Sequence, residues 1–214
     1  MAVERRVSDA LRTTLERGAE ALGLALSAEL SDRLLAFVAL LQRWNRAYNL
    51  TAVREPQAMV TRHLLDSLAV LPWLEGERII DVGTGPGLPG IPLALASPER
   101  HFVLLDSNGK KVRFVRQAVL ELGLSNVEAV QSRVEAFRPE CGFDTVLTRA
   151  FADGATTLAL ARHLCAPGGT MLLLKGVGED DLEPLRAAGC QVERVPLTVP
   201  GTEGRRCLLR LRPH

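Results

Sequence analysis

Lysine is scarce in this chain. Of 26 basic residues only Lys110, Lys111 and Lys175 are lysine, and the other 23 are arginine. Arginine suits phosphate and base recognition, and a GC-rich genome accounts for the same excess equally well. No apolar run approaches the ~18 residues of a membrane helix, and Met1-Ala2-Val3-Glu4-Arg5-Arg6 lacks the apolar core of a signal peptide. A cytoplasmic location is therefore expected. The four cysteines, Cys141, Cys165, Cys190 and Cys207, contain no CxxC pair, which speaks for reduced thiols and against a zinc site or a disulfide framework, so no metal is expected. Charge of one sign is also missing. A formal net charge of +1 neither requires nor excludes nucleic acid, and local distribution matters more.

What is present begins with Ile79-Ile80-Asp81-Val82-Gly83-Thr84-Gly85-Pro86-Gly87-Leu88-Pro89-Gly90. The apolar β-branched run reads as a buried strand ending in an acid. The glycines that follow let the backbone turn sharply and lie close to a ligand. The dinucleotide fingerprint G-x-G-x-x-G needs a third glycine at position 88, and that position is Leu88. The acid-x-G-x-G-x-G pattern instead resembles motif I of the Rossmann-like methyltransferases that use S-adenosylmethionine (SAM).

Around this stretch the chain divides in two. Residues 1–75 read as an all-helical extension, with Gly23 as a stop, Ser27 as a cap and Phe37, Leu41, Trp44 and Tyr48 as one stripe. Another helix begins after Pro56, and on it Arg62 and Asp66 are spaced as an i, i+4 ion pair. Residues 76–214 alternate strand and helix, which implies a mostly parallel sheet with right-handed crossovers. Strands are expected at 78–82, 101–105, 127–130, 143–148 and 170–174. Two more, at 190–197 and 207–211, form an antiparallel pair at one edge, giving an α/β, Rossmann-like fold with a seven-stranded sheet. Asp106 closes the second strand about 20 residues past the glycine loop, where an acid is placed to bind ribose hydroxyls. Arg149 ends the fourth strand at the carboxyl edge, where open α/β sheets bind ligands. Lys110, Lys111, Arg113 and Arg116 form a basic helix face, suited to phosphates but equally an ordinary solvated surface.

These stretches together resemble the RsmG family of 16S ribosomal RNA guanine-N7 methyltransferases, formerly called glucose-inhibited division protein B. The resemblance runs from about residue 20 onward. It is carried by Trp44-Asn45-Arg46-Ala47-Tyr48-Asn49-Leu50-Thr51, Arg62-His63-Leu64-Leu65-Asp66-Ser67, the motif from Asp81 to Leu93, Leu104-Leu105-Asp106-Ser107 with Lys110-Lys111, Gln131-Ser132-Arg133-Val134-Glu135, Thr148-Arg149-Ala150 and Lys175-Gly176. Lys111 and Thr148 depart from the arginine and serine usual there, both conservatively.

The resemblance implies SAM as methyl donor, with contacts at Gly83, Leu88, Val134, Glu135 and Arg149. To these the reading of the fold adds Gly85, Gly87 and Asp106. It implies 16S rRNA of the small ribosomal subunit as partner and N7 of guanine-527, in the 530 loop, as acceptor. N7 carries a lone pair and no proton, so no catalytic acid or base is assigned. Arg46, Arg62, His63, Lys110, Lys111, Arg113 and Lys175 are candidates for RNA contact. The alternatives are a SAM-dependent methyltransferase acting on another RNA, a small molecule or a protein, and an RNA-binding protein with a vestigial cofactor fold. An amino-methylating nucleic-acid enzyme would carry an Asn/Asp-Pro-Pro-aromatic motif where this chain has Thr148-Arg149-Ala150-Phe151.

Overall fold

The computed structural model describes residues 2–176, 182–202, 204 and 206–213, without the side chains of 2–7. Two long helices come first, α1 (Ala2–Ala21) and α2 (Ala28–Tyr48). Ser27 caps α2 by accepting from Leu30 N, and Asn49 ends it in the left-handed conformation, as caps of these types do. The next helical segment changes pitch twice: α3 (Pro56–Met59), a π-helical turn (Val60–Leu65) and α4 (Asp66–Leu68).

The α/β part then runs β1 (Arg78–Val82), α5 (Gly90–Ala96), β2 (His101–Asp106), α6 (Gly109–Glu121), β3 (Val127–Gln131), β4 (Phe143–Arg149), α7 (Gly154–Ala161), β5 (Cys165–Gly176), α8 (Glu183–Ala187), β6 (Cys190–Leu197) and β7 (Arg206–Pro213). The seven strands form one sheet in the order β3-β2-β1-β4-β5-β7-β6. β7 is antiparallel to both its neighbours and the other pairings are parallel. The order reverses between β1 and β4, so the loops after these two strands open a crevice at the carboxyl edge.

Strand alternation explains the two-sided core. Ile79, Phe102, Leu104, Leu147, Leu172 and Leu208 face one way and pack with Leu15, Phe37, Leu41, Leu64 and Leu68 of the leading helices. Ile80, Val103, Val146, Met171, Leu173 and Leu209 face the other way, against Leu158 and Leu185 of α7 and α8. The leading helices thus cover one face of the sheet. Strand five starts earlier than its apolar run suggests. Phe143 pairs with Cys165 and Thr145 with Thr170, so Pro167-Gly168-Gly169, a turn sequence, forms a break in register inside the strand.

Glu203 and Arg205, between β6 and β7, lie outside the described residues. Gly90, the first residue of α5, sits against the sheet. A Cβ there would lie 2.1 Å from Leu104 Cδ2 and 2.9 Å from Asp81 Oδ2. Leu104 is fully buried and has no room to move away. Gly90→Ala is therefore expected to cost about 1–3 kcal/mol, read as a lower denaturant midpoint; an unchanged midpoint would show that α5 can slide away from the sheet.

Candidate active site

The crevice contains two cavities that meet at one residue. The first, about 370 Å³, is lined by Gly83, Leu105, Asp106, Ser107, Lys111, Arg133, Val134, Glu135, Ala150 and Phe151. It is assembled from the ends of β1, β2, β3 and β4. Gly83, Gly85 and Gly87 all adopt positive φ, at 70°, 60° and 78°, so the loop needs their freedom. At Gly83 close approach adds to this, because a Cβ would stand 2.7 Å from Phe151 Cδ2.

Two carboxylates shape the loop from below. Asp106 Oδ2 accepts from Gly85 N at 2.9 Å and Oδ1 from Asn108 N at 2.8 Å, so the acid that lines the cavity also fastens the glycine loop to β2. Asp81 is fully buried. Its Oδ2 accepts from Thr84 Oγ1 at 2.7 Å and Gly90 N at 2.9 Å, while Oδ1 has no hydrogen-bond partner among the described residues. Burial raises Asp81 to about 6 against the pull of those two donors. An orphaned buried carboxylate oxygen is costly and calls for a donor from outside the chain.

The second cavity, about 420 Å³, lies on the β5 side of Ala150. Its walls include aliphatic Val53, Leu174 and Leu197, and its polar groups come from Arg62, His63, Asp66, Arg149, Lys175 and Arg206. Ala150 lines both cavities and is held at φ 49°, a conformation uncommon for a residue with a Cβ. The backbone at the junction is therefore held in place by its surroundings, a feature that concentrates at functional sites.

Asp66 does not pair with Arg62, as the i, i+4 spacing suggests. Its carboxylate, 7% exposed as a residue, takes Arg149 Nη1 on Oδ2 at 3.2 Å and Arg206 Nε on Oδ1 at 3.1 Å. Arg62 remains exposed. The π-helical turn before Asp66 widens the helix here and puts consecutive polar residues on different sides, a distortion frequent at functional sites. His63, from the same turn, is buried. Its Nδ1 is 3.0 Å from Arg62 O and its Nε2 is 3.0 Å from Thr51 Oγ1, so the neutral ring donates from Nδ1 and accepts at Nε2. Burial, reinforced by the charge of Arg149, lowers His63 to about 4.

A family model described as rRNA small subunit methyltransferase G, GidB, matches residues 31–208. The chain belongs to this family. Ribosomal RNA small subunit methyltransferase G of Shewanella amazonensis is 54% identical over 190 residues, covering 88% of this chain and 92% of that protein. The protein of the same name from Methylococcus capsulatus is 53% identical over 200 residues, covering 93% and 97%. Solved structures show the fold. A SAM-dependent methyltransferase from Aquifex aeolicus superposes with a TM-score of 0.57 at 18% identity, over 73% of this chain and 93% of that one. The glycopeptide N-methyltransferase MtfA complexed with SAM gives 0.60 at 13% identity, over 71% and 87%.

Within the family's fold, the sequence-predicted residues separate by cavity. Gly83, Asp106, Val134 and Glu135 come together in the first, joined by Lys111. Arg149 lies in the second, with His63, Arg62 and Lys175. Gly85 and Gly87 are buried in the loop, and Leu88 packs into the core behind it. Lys111 Nζ lies 4.0 Å from where a Cβ on Gly85 would stand, and Lys175 Nζ donates to Ala152 O. Arg46, Lys110 and Arg113 are exposed on the surface. Sequence reasoning missed Asp66, Arg206, Ala150 and Phe151 as site residues. Asp66 and Ala150 left a signal, since both stand within motifs of the family resemblance; Arg206 comes from 140 residues away. Among the described residues no three His, Cys, Asp or Glu side chains gather as a metal site, and no helix is long and apolar enough to cross a membrane.

Proposed function

We propose that this chain methylates N7 of guanine-527 in the 530 loop of 16S rRNA, on the small ribosomal subunit or an assembly intermediate, in the cytoplasm. The enzyme class, a SAM-dependent rRNA methyltransferase, rests on membership of the family. What supports the placement of the site is a single observation: Gly83, Asp106, Val134 and Glu135, from four separate stretches, line one cavity at the crevice of the sheet.

The residues there fit SAM. When bound, it supplies a methyl group activated by a sulfonium centre. Gly83, Gly85 and Gly87 leave open backbone against which its amino-acid end can lie, with Leu88 fixing the loop from the core side. Asp81 Oδ1, which has no partner among the described residues, is fully buried behind the cavity wall and would accept from the ammonium through a water. Asp106 keeps lone pairs for ribose hydroxyls beyond those given to Gly85 and Asn108. Val134 and Glu135 flank the adenine, and Arg149 orders the boundary with the neighbouring cavity.

Chemistry at N7 asks little of the side chains. The nitrogen carries its own in-plane lone pair, so no residue needs to remove a proton, and the base becomes cationic as the bond forms. Holding the two reactants in line is the main contribution, and such positioning is worth roughly 7–11 kcal/mol at its upper end. His63 remains neutral above about pH 4 and so adds no cation beside the forming charge. A base stacked in its loop must be splayed out, at about a few kcal/mol. Exposed Arg46, Arg62, Lys110 and Arg113 are the candidate phosphate contacts, with Lys111, Lys175 and His63 nearer the cavities.

Methyl transfer from labelled SAM into naked 16S rRNA and intact small subunits, followed by mapping of the modified base, tests this reading. Label is expected at N7 of guanine-527. Label at another guanine would defeat the position, and label absent from all rRNA would defeat the substrate.

A further inference from the structure

The second cavity has a composition that the cofactor does not explain. It shares Ala150 with the first cavity, so a group seated in it adjoins whatever the first cavity holds. Val53, Leu174 and Leu197 offer aliphatic surface to a flat ring. Asp66 is the one carboxylate among the described residues lining it. Resting on the reading above, we infer that this cavity seats the acceptor guanine and that Asp66 reads its Watson–Crick edge.

The chemistry of the base favours that orientation. Guanine presents N1–H and the N2 amine side by side, two donors on one edge, while N7 lies on the opposite side of the bicycle. A carboxylate is the natural acceptor for that donor pair. Each oxygen of Asp66 takes one guanidinium N–H, from Arg149 on Oδ2 and from Arg206 on Oδ1. A carboxylate has about four lone-pair sites, so each oxygen keeps one for the base. The two arginines fix the plane of the carboxylate, and with N1 and N2 engaged there, N7 is directed toward Ala150 and the cofactor cavity. The single negative charge of Asp66 also offsets part of the field of Arg62, Arg149, Lys175 and Arg206 where N7 turns cationic. Adenine carries an acceptor at N1 and no N2 amine, so it would offer no donor to the lone pairs that Asp66 keeps beyond its two arginines, and be rejected.

Inosine separates this role from a merely structural one, because it keeps N7, O6 and N1–H and lacks only the N2 amine. Small subunits are reconstituted with 16S RNA carrying guanine or inosine at the target position, and kcat/KM for methyl transfer is measured on both. Wild-type protein is expected to prefer guanine by about ten- to a hundredfold, the value of one hydrogen bond to a charged acceptor. Asp66→Ala, which removes both acceptor oxygens, is expected to lower kcat/KM on guanine with SAM affinity unchanged, and to collapse the guanine-to-inosine ratio to about two or less, since the bond that inosine deletes is already lost.

Equal rates on guanine and inosine with wild-type protein would overturn the assignment, whether or not the variant folds. A variant that keeps the wild-type ratio while losing rate would overturn it as well and make Asp66 a structural clasp for its two arginines. Guanine labelled without discrimination removes only the role of Asp66. No label on either RNA removes the rRNA substrate and this assignment with it.

Discussion

Asp106→Ala is expected to weaken SAM binding by about a hundredfold, the loss of one to two charge-assisted hydrogen bonds, and to leave RNA affinity unchanged. Two effects add. The ribose loses its acceptor, and Gly85 N and Asn108 N lose the carboxylate that now holds them at 2.9 and 2.8 Å. The first makes contacts in the complex weaker; the second lets the glycine loop drift from the sheet in the free protein. Leaving these amides unpaired costs about 1–3 kcal/mol each where they stay buried, so a lower unfolding midpoint accompanies the loss of affinity. Asp106→Asn keeps an oxygen for one of the two amides and should fall between the parent and the alanine variant in both respects. Calorimetry with SAM and filter binding with 16S rRNA check the pair. Unchanged SAM affinity in the alanine variant would remove Asp106 from the cofactor site, and an equal drop in both affinities would point to general unfolding.

The sheet was legible because its signals are local. Each parallel strand is a short apolar run bounded by a turn, and the terminal pair is split by Pro200-Gly201. The glycine loop was legible for the same reason: Asp81, Gly83, Gly85 and Gly87 stand within one turn of chain, and spacing alone separates them from a dinucleotide fingerprint. The second cavity was not legible. Its carboxylate clasp joins Asp66 to Arg149 and Arg206, partners 83 and 140 residues away, and no periodicity records such a pairing. Sequence spacing offered Arg62 as the partner of Asp66, and a π-helical turn, which no propensity scale detects, undid that geometry. Strand five began early for a related reason, because a Pro-Gly-Gly turn can sit inside a strand when the neighbouring strand shifts register around it. Lys111 reads in sequence as part of a basic helix face. Only the folded structure shows it in the wall of the first cavity, close to Gly85 of the glycine loop.

Asp81→Asn is expected to make the ligand-free protein more stable at pH 7 by up to about 3 kcal/mol and to weaken SAM binding. Burial raises Asp81 from 3.8 to about 6, and at 1.36 kcal/mol per unit that is the approximate cost of keeping it charged in the folded state. Its sign is opposite to that of an ordinary paired carboxylate. The folded protein holds the proton more tightly than the unfolded chain, so the penalty is present above pH 6 and is relieved as pH falls toward 3.8. His63 works the other way. Lowered from 6.5 to about 4, it costs nothing at pH 7, where both states are neutral. Between pH 6.5 and pH 4 the unfolded chain takes up a proton that the folded protein refuses, and a similar stability, about 3 kcal/mol, is lost. The two windows overlap, so in the parent these contributions largely cancel from pH 6 to pH 4. In Asp81→Asn only the histidine contribution remains, and stability should fall steeply through that range. SAM affinity should decline below about pH 6 in the parent, as protonation removes the acceptor for its ammonium, and should lose that dependence in the variant. Denaturant unfolding at pH 7, 5.5 and 4.5, with SAM calorimetry at pH 7 and pH 5.5, reads both effects. Parallel stability profiles for parent and variant would show that Asp81 does not titrate in this range, and its unpaired oxygen would then need a donor in the free protein as well.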